Sequence, residues 1–426
     1  MSPKILRYIL NMNTHKVAPS ATSLPKEKIK VLLLENIHPL AKEAFESEGF
    51  QVEALSVALK PEELKEKIRD FHVLGIRSKT QVTAEILREA KRLLTVGCFC
   101  IGTNQVDIEF AKEQGIPVFN APFGNTRSVA EMVIAEIISL ARQLFQRSSE
   151  VHLKTWKKIS TGCFEVRGKT LGIIGYGHIG SQVSTLAENL GMHILYYDIV
   201  SKLPLGNARG CNTLQELLRA SDFVTLHVPA TPQTHKMIGL TQLQTMKKGS
   251  YLINASRGNV VQIPALADLL RSGHLAGAAI DVYPEEPEGN DSQFVTELQG
   301  IPNVILTPHI GGATEEAQAN IGTEVPSTLI RFVNSGSTTG AVNFPQVDIA
   351  PSQDGHRILN VHQNVPGVLS EINGIVSRLG ANIQAQSLST DPKIGYLVLD
   401  TDRALSTEVK NAIEGLRTSI KTRMLY

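Results

Sequence analysis

From Lys28 onward, short apolar runs alternate with stretches that are apolar along one side only. Ile29–Leu34, Val52–Leu55, Val73–Ile76, Leu93–Cys98 and Val118–Phe119 read as buried strands. Between them His38–Glu48, Pro61–Arg69, Ala84–Ala90 and Ile108–Gln114 carry apolar residues at helical spacing. Strands alternating with helices across short connections predict a parallel sheet covered by helices. A longer helix is expected over Ser128–Gln146, with Val129, Val133, Ile137 and Leu140 on one stripe. A second strand series follows at Leu171–Ile174, His193–Tyr197, Phe223–Val228, Tyr251–Ala255, Gly277–Val282 and Val304–Leu306, and then a helix over Glu315–Phe332. That is too many strands for one ordinary doubly wound sheet. The simplest division puts one α/β domain over 28–122 and a second over 123–312.

The pattern changes after Asn334. The polar stretch Asn334–Gly340 (NSGSTTG) reads as a linker, taken to span 336–350. Beyond it Ile358–His362, Ile383–Ser389, Tyr396–Asp400 and Ser419–Leu425 read as strands, and Gly367–Leu379 and Thr407–Leu416 as helices. The order βαββαβ predicts a ferredoxin-like module over 351–426. Its first helix sets Val368, Ile372, Ile375, Val376 and Leu379 on one face, as a helix covering one side of a sheet must. So small a module gains from pairing with a second copy.

Composition narrows the function classes. The 426 residues include 42 Lys and Arg against 41 Asp and Glu, a net charge of +1. No basic stripe or acidic tail marks a nucleic-acid or membrane partner. No apolar stretch approaches the ~20 residues of a membrane span. Cys98, Cys100, Cys163 and Cys211 show no zinc spacing and read as thiols of a reducing compartment, so no metal and a cytoplasmic location are expected. Lys4, Arg7, Lys16 and Lys26 occur near the start with no acid among them, a bias shared with transit peptides. With a single arginine and little amphipathic pattern, residues 1–27 read instead as a flexible extension.

The chemistry begins at Leu171–Gly180, LGIIGYGHIG. A strand runs into Gly175, Gly177 and Gly180, spaced G-x-G-x-x-G, and then into a helix, and Asp198 ends the next apolar run. This is a dinucleotide-binding fingerprint in its full context. Gly175 permits the tight turn, Gly177 lets backbone approach a pyrophosphate, and Gly180 lets helix and strand pack closely. The helix N-terminus offers free N–H groups to the phosphates. Asp198 would bond a ribose diol and repel the extra phosphate of NADP, so NAD is the expected cofactor. Three charged side chains follow later strands: Arg257 in NASRGNVV, Glu286 in DVYPEEP and His309 in LTPHIGG. An arginine can hold a carboxylate with two parallel bonds. A histidine can take a hydroxyl proton while hydride leaves the same carbon. A glutamate on the far side of the imidazole would fix its tautomer and stabilise its cation.

At these residues the chain resembles the D-2-hydroxyacid dehydrogenase family, from about Lys28 to the C-terminus. GCFCIGTNQVD, FNAPFGNTRSVAE, LGIIGYGHIG, NASRGNVV, AIDVYPEEP and TPHIGG carry the likeness. The resemblance implies two doubly wound parallel-sheet domains: a substrate domain over 28–122 completed by 313–335, and a Rossmann NAD domain inserted over 123–312. Helical crossings would then hinge over the cleft. It implies Arg257, Glu286 and His309 as the catalytic set. His178, Ile179, Ala255, Ser256, Asp281, Gly311 and Gly312 join Gly175, Gly177, Gly180 and Asp198 around NAD. Val73–Ile76 ends in Arg77-Ser78-Lys79, whose cations suit a phosphorylated substrate. By the resemblance Arg77 holds that phosphate, Ser78 belongs to the same substrate site, and Asn125 lies against the substrate. The implied reaction is oxidation of D-3-phosphoglycerate to 3-phosphohydroxypyruvate, the entry to serine synthesis. Trp156-Lys157-Lys158 matches a stretch that reaches across a subunit contact. The C-terminal module resembles an ACT domain. His362, Asn364 and Asn382 match serine-binding positions there, and Pro366-Gly367 open a helix that could receive a carboxylate. A homotetramer with contacts through the NAD and ACT domains is expected. Another D-2-hydroxy acid as substrate, or an NAD-sensing binding protein of the same fold, are the alternatives.

Overall fold

The structure, a computed structural model, describes residues 24–287, 292–350 and 355–426. Apart from 24–27, the expected N-terminal extension lies outside the described residues. By contacts the chain forms two units, Phe123–Gln318 and the segments on either side of it, ending at Pro122 and resuming at Ala319.

The flanking unit opens with β1 (Lys30–Leu33), β2 (Gln51–Ala54), β3 (Val73–Ile76), β4 (Thr95–Cys98) and β5 (Val118–Phe119). They form a parallel sheet in the order β2-β1-β3-β4-β5. β3 and β4 are buried along their whole length, as strands with helices on both faces must be, which is why their sequences run apolar without alternation. The helix Glu315–Ser335 lays Ile321, Val325, Leu329 and Phe332 into this core beside Val31, Phe45 and Phe119. Gly97 makes the fit: a Cβ there would lie 2.6 Å from Leu329 and 2.7 Å from Val325.

The unit Phe123–Gln318 holds β6 (Thr170–Ile174), β7 (His193–Tyr197), β8 (Arg209–Gly210), β9 (Phe223–Leu226), β10 (Tyr251–Asn254), β11 (Gly277–Ile280) and β12 (Val304–Leu306). All pair in parallel, in the order β12-β11-β10-β9-β6-β7-β8. Strand order reverses between β9 and β6, the switch point where such sheets bind ligands at their carboxyl ends. The long helix expected over Ser128–Gln146 is instead two, Thr126–Arg142 and Leu144–His152. Gln143 breaks it with a left-handed φ of 53°, and its side-chain amide donates to the Gly162 carbonyl. Among the described residues no helix is long and apolar enough to cross a membrane.

Four antiparallel strands close the chain: β13 (His356–Gln363), β14 (Ile383–Thr390), β15 (Ile394–Thr401) and β16 (Ser419–Leu425), in the order β14-β15-β13-β16. The helices Val368–Leu379 and Ser406–Glu414 cover one face, packing on Ile358, Leu397, Leu399 and Met424. The other face sends Leu359, Val361, Tyr396 and Val398 into the same core as Phe119 and Phe332. β15 is therefore buried on both faces.

The segment read as a polar linker is packed structure, which corrects that expectation. Ser337, Thr338 and Asn343 are buried. Thr338 donates to the Pro345 carbonyl and accepts from the Val347 N–H, and Asn343 bonds the backbone of Ile108, Ile116 and Val118. Arg357 pairs with Asp400 through two bonds of 2.7 Å and donates to the carbonyls of Ser335, Ile349 and Ala350. Polar composition had suggested a solvated spacer, but here the polar groups satisfy buried backbone.

Candidate active site

The fingerprint turn leaves β6 and enters the helix His178–Asn189. Gly175 has a φ of 90°, and a Cβ on it would lie 2.3 Å from the His227 carbonyl oxygen. A Cβ on Gly180 would lie 2.2 Å from the Gly175 carbonyl oxygen. Both glycines are needed for close backbone approach. Gly177 differs, since a Cβ there would meet nothing within 4 Å. The space before the helix N-terminus is open, with the first-turn amides of His178 and Ile179 beside it. A pyrophosphate fits that space and those donors. Asp198 accepts the Tyr176 N–H at 2.8 Å and the Val200 N–H at 2.9 Å. It therefore clamps the turn, and its remaining lone pairs can take a ribose diol.

β10, β11 and β12 are neighbours, and each is followed by one of the three charged residues. The Asn254 Oδ1 accepts from the Ser256 N–H and hydroxyl, and its amide donates to the Arg257 carbonyl, so Ala255–Arg257 is held as a tight turn. A Cβ on Gly258 would lie within 2.0 Å of the Tyr283 backbone. Glycine alone lets this turn press against the Tyr283–Pro284 loop, which brings Arg257 alongside Glu286. Glu286 accepts the Tyr283 N–H at 3.0 Å, and its other oxygen lies 2.7 Å from His309 Nδ1. His309 holds a φ of 54°, with its own N–H donating to the Asp281 carbonyl at 2.8 Å. Its Nε2 is left for a ligand, on a side chain that is half exposed.

Asp281 has a second task that the sequence reading missed. Buried at the end of β11, it accepts from the Thr307 hydroxyl and the Ile310 N–H with one oxygen and from the Gly311 N–H with the other. The carboxylate thereby shapes the turn that carries His309. Thr307 was not singled out at all. An aspartate closing the apolar run Gly277–Ile280 was the available signal.

The charges act on one another. The bond to Glu286 raises the His309 imidazole above its usual 6.5, against the opposing effect of burial; Arg257 lowers it. Burial works to raise the Glu286 carboxyl, but the bonds from His309 and the Tyr283 N–H outweigh it and hold Glu286 below its usual value. Arg257, Glu286 and His309 thus form one electrostatic group. Asn125 precedes the helix Thr126–Arg142 without capping it, and its buried Oδ1 has no partner among the described residues. Its amide lies where a Cβ on Gly312 would come within 2.7 Å.

In the flanking unit, Arg77, Ser78 and Lys79 follow β3. The buried Glu35 carboxylate, another residue the sequence reading passed over, accepts the N–H groups of Arg77, Lys79 and Thr80. Gln105 donates to the Arg77 carbonyl at 2.6 Å. The backbone is thus fixed while no ion pair engages the Arg77 or Lys79 side chain among the described residues. His362 is buried at the end of β13, its Nδ1 3.0 Å from the Asn360 Oδ1 and its ring against Gly395. Burial lowers its pKa. Asn364 donates to the Asp391 carbonyl at 2.7 Å. Asn382 lies elsewhere: it precedes β14, whose start pairs with Thr401, whereas His362 pairs with Gly395 at the other end of β15. At ~3.3 Å per residue they stand about 20 Å apart. One chain alone does not bring the three effector candidates together. Trp156 is 83% exposed, with Leu153 and Phe164 exposed nearby.

Comparison with known proteins matches this architecture. The family model described as "D-isomer specific 2-hydroxyacid dehydrogenase, NAD binding domain" matches residues 134–311, and "AHAS small subunit-like ACT domain" matches residues 358–421. A D-3-phosphoglycerate dehydrogenase of Dictyostelium discoideum is 60% identical over 405 residues, covering 95% of this chain and 99% of the relative. That of Escherichia coli is 51% identical over 407 residues, with 95% and 99% covered. Among solved structures, a Thermus thermophilus protein known as TT0316 is similar at a TM-score of 0.66 and 30% identity, over 74% of this chain and all of that one. A D-lactate dehydrogenase from Aquifex aeolicus, complexed with NAD and lactic acid, has a TM-score of 0.65 and 27% identity, over 75% of this chain and all of that one.

Proposed function

This chain belongs to the D-3-phosphoglycerate dehydrogenases of the D-2-hydroxyacid dehydrogenase family, NAD-dependent oxidoreductases, and from that premise we propose how its own residues carry the reaction. His309 takes the C2 hydroxyl proton on Nε2. Glu286 holds Nδ1 and stabilises the imidazolium that results. Arg257 clamps the substrate carboxylate, with Asn125 beside the substrate. When bound, NAD accepts the hydride released from C2. The 2.7 Å bond between Glu286 and His309 carries this reading most directly. Arg77 and Ser78 take the substrate phosphate, on a loop that Glu35 and Gln105 hold. Absorbance at 340 nm should rise with NAD and D-3-phosphoglycerate, and at least tenfold more slowly with D-lactate or D-glycerate at equal concentration. Equal rates on all three would overturn the assignment of Arg77 and Ser78.

We further propose that L-serine binds between two ACT modules of a homotetramer in the cytoplasm, His362 and Asn364 coming from one copy and Asn382 from the next. The separation of these residues along β15 supports a shared site. A path toward Arg77 exists within one chain. The Asp391 carboxylate, on the residue whose carbonyl holds Asn364, pairs at 3.1 Å with Lys112 on the helix Ile108–Glu113. That helix starts from Asp107, whose N–H donates to Val82, which in turn bonds Gln105. Gln105 holds Arg77. Asn364→Ala should raise the serine concentration for half-inhibition tenfold or more, about 1.4 kcal/mol of lost binding. An unchanged inhibition curve would remove Asn364 from the site.

A further inference from the structure

Between the helix Thr126–Arg142 and the sheet lies an acid that the dehydrogenase chemistry leaves unused. Glu136 is 5% exposed, and both carboxyl oxygens are shut off from solvent with no hydrogen-bond partner among the described residues. A carboxylate there has neither water nor a donor to stabilise it. The preceding turn of its helix touches the neighbourhood of Asp281. A Cβ added to Gly311 would lie 3.1 Å from the Asp281 Oδ2, 3.2 Å from the Met132 methyl and 3.5 Å from Val129. Glu136 stands one helical turn beyond Met132. Asp281, from the segment after β11, is the charged group whose field acts on it, and Tyr283 in the same segment feels Glu136 in return. No cation of the described residues acts on it. Removal from water, and then the Asp281 charge, push its carboxyl up to about 8.

We propose that Glu136 is a proton site linked to the charge of the nicotinamide ring: it stays protonated behind Asp281 when the pocket is empty or holds the reduced cofactor, and ionises when a cationic ring is bound. This rests on the proposed function: His309 works at C2, the ring must approach the same carbon to take its hydride, and Asp281 holds the His309 turn, so the ring comes to lie on the Asp281 side of that pocket. In the empty pocket the Asp281 carboxylate opposes a second anion beside it. A cationic ring against Asp281 cancels that opposition and adds attraction. Only the carboxyl O–H bond breaks; the proton passes to the bulk buffer and returns once the ring has gained its hydride. By reciprocity, ionised Glu136 favours the oxidised cofactor over the reduced one. Glu136 is a positioning residue, acting through Asp281.

Calorimetric titration with NAD+ and with NADH, at about pH 7.5 in buffers of different ionisation enthalpy, counts the protons released. The wild-type protein should release roughly half a proton more per site with NAD+ than with NADH. Glu136→Gln, of the same shape but without the ionisable proton, should lose that difference, leaving only what His309 contributes in both proteins. Equal differences in wild type and variant overturn the proposal. A merely structural Glu136 would change thermal stability and leave the proton count alone. If Glu136→Gln does not fold, Glu136→Met serves for the same comparison. Asp281→Asn separates the two layers: it should weaken NAD+ more than NADH, and an unchanged ratio of the two affinities overturns the pocket reading, and the role of Glu136 with it.

Discussion

His309→Ala should lower the turnover of D-3-phosphoglycerate oxidation by at least a hundredfold, within the range of about 10² to 10⁴ that a positioned acid–base group supplies. The substitution removes an imidazole whose Nδ1 is anchored by a carboxylate and whose other nitrogen is left for a ligand. NADH affinity, measured by fluorescence, should stay within a few-fold, because the fingerprint turn and Asp198 are held by bonds that do not involve His309. The pH profile supplies a second check. To accept a proton His309 must be neutral, so oxidation rises with pH through the imidazole pKa. That limb should lie above the usual 6.5, since the Glu286 bond raises it. In Glu286→Gln the charge that favours the imidazolium is gone. The limb should then move to lower pH and turnover should fall. A His309→Ala enzyme within tenfold of wild type would exclude histidine as the base. A Glu286→Gln profile with its acid limb unmoved would exclude the proposed pairing.

Arg77→Ala should raise KM for D-3-phosphoglycerate by about ten- to a hundredfold, the scale of one charge-assisted hydrogen bond of roughly 1.5–3 kcal/mol. The loop should survive the substitution. Its shape depends on the Arg77 backbone, held by Glu35 and Gln105, and not on the guanidinium. The loss should therefore be selective. KM for D-glycerate, which lacks the phosphate, should change little. Equal losses on both substrates would mean that Arg77 supports the fold and not the phosphate. Glu35→Gln offers a contrast: three backbone N–H groups lose a charged acceptor, so binding and stability should weaken together.

Local chemistry accounts for what the sequence alone determined. Apolar runs without alternation marked β3, β4 and β9–β11 because parallel strands covered on both sides need no polar face. The glycine spacing at 175, 177 and 180 marked the turn because side chains at 175 and 180 would collide with neighbouring backbone. Family likeness then supplied roles for Arg257, Glu286 and His309, which lie far apart in the chain and carry no shared local pattern. Tertiary structure decided the rest. Adjacency of β10, β11 and β12 in the sheet sets those three side chains in one electrostatic group, and strand order is not written in any local run. The polar stretch 334–340 looked solvated, yet its hydroxyl and amide groups are spent on buried backbone. A hydrogen bond's partner lies far along the chain, as Asn343 shows with Val118. Glu136 is the clearest case. As a sequence it is one of two acids, with Glu131, on an amphipathic helix; only tertiary packing removes its water and sets it near Asp281, and burial, which no local pattern encodes, is what pushes its carboxyl up.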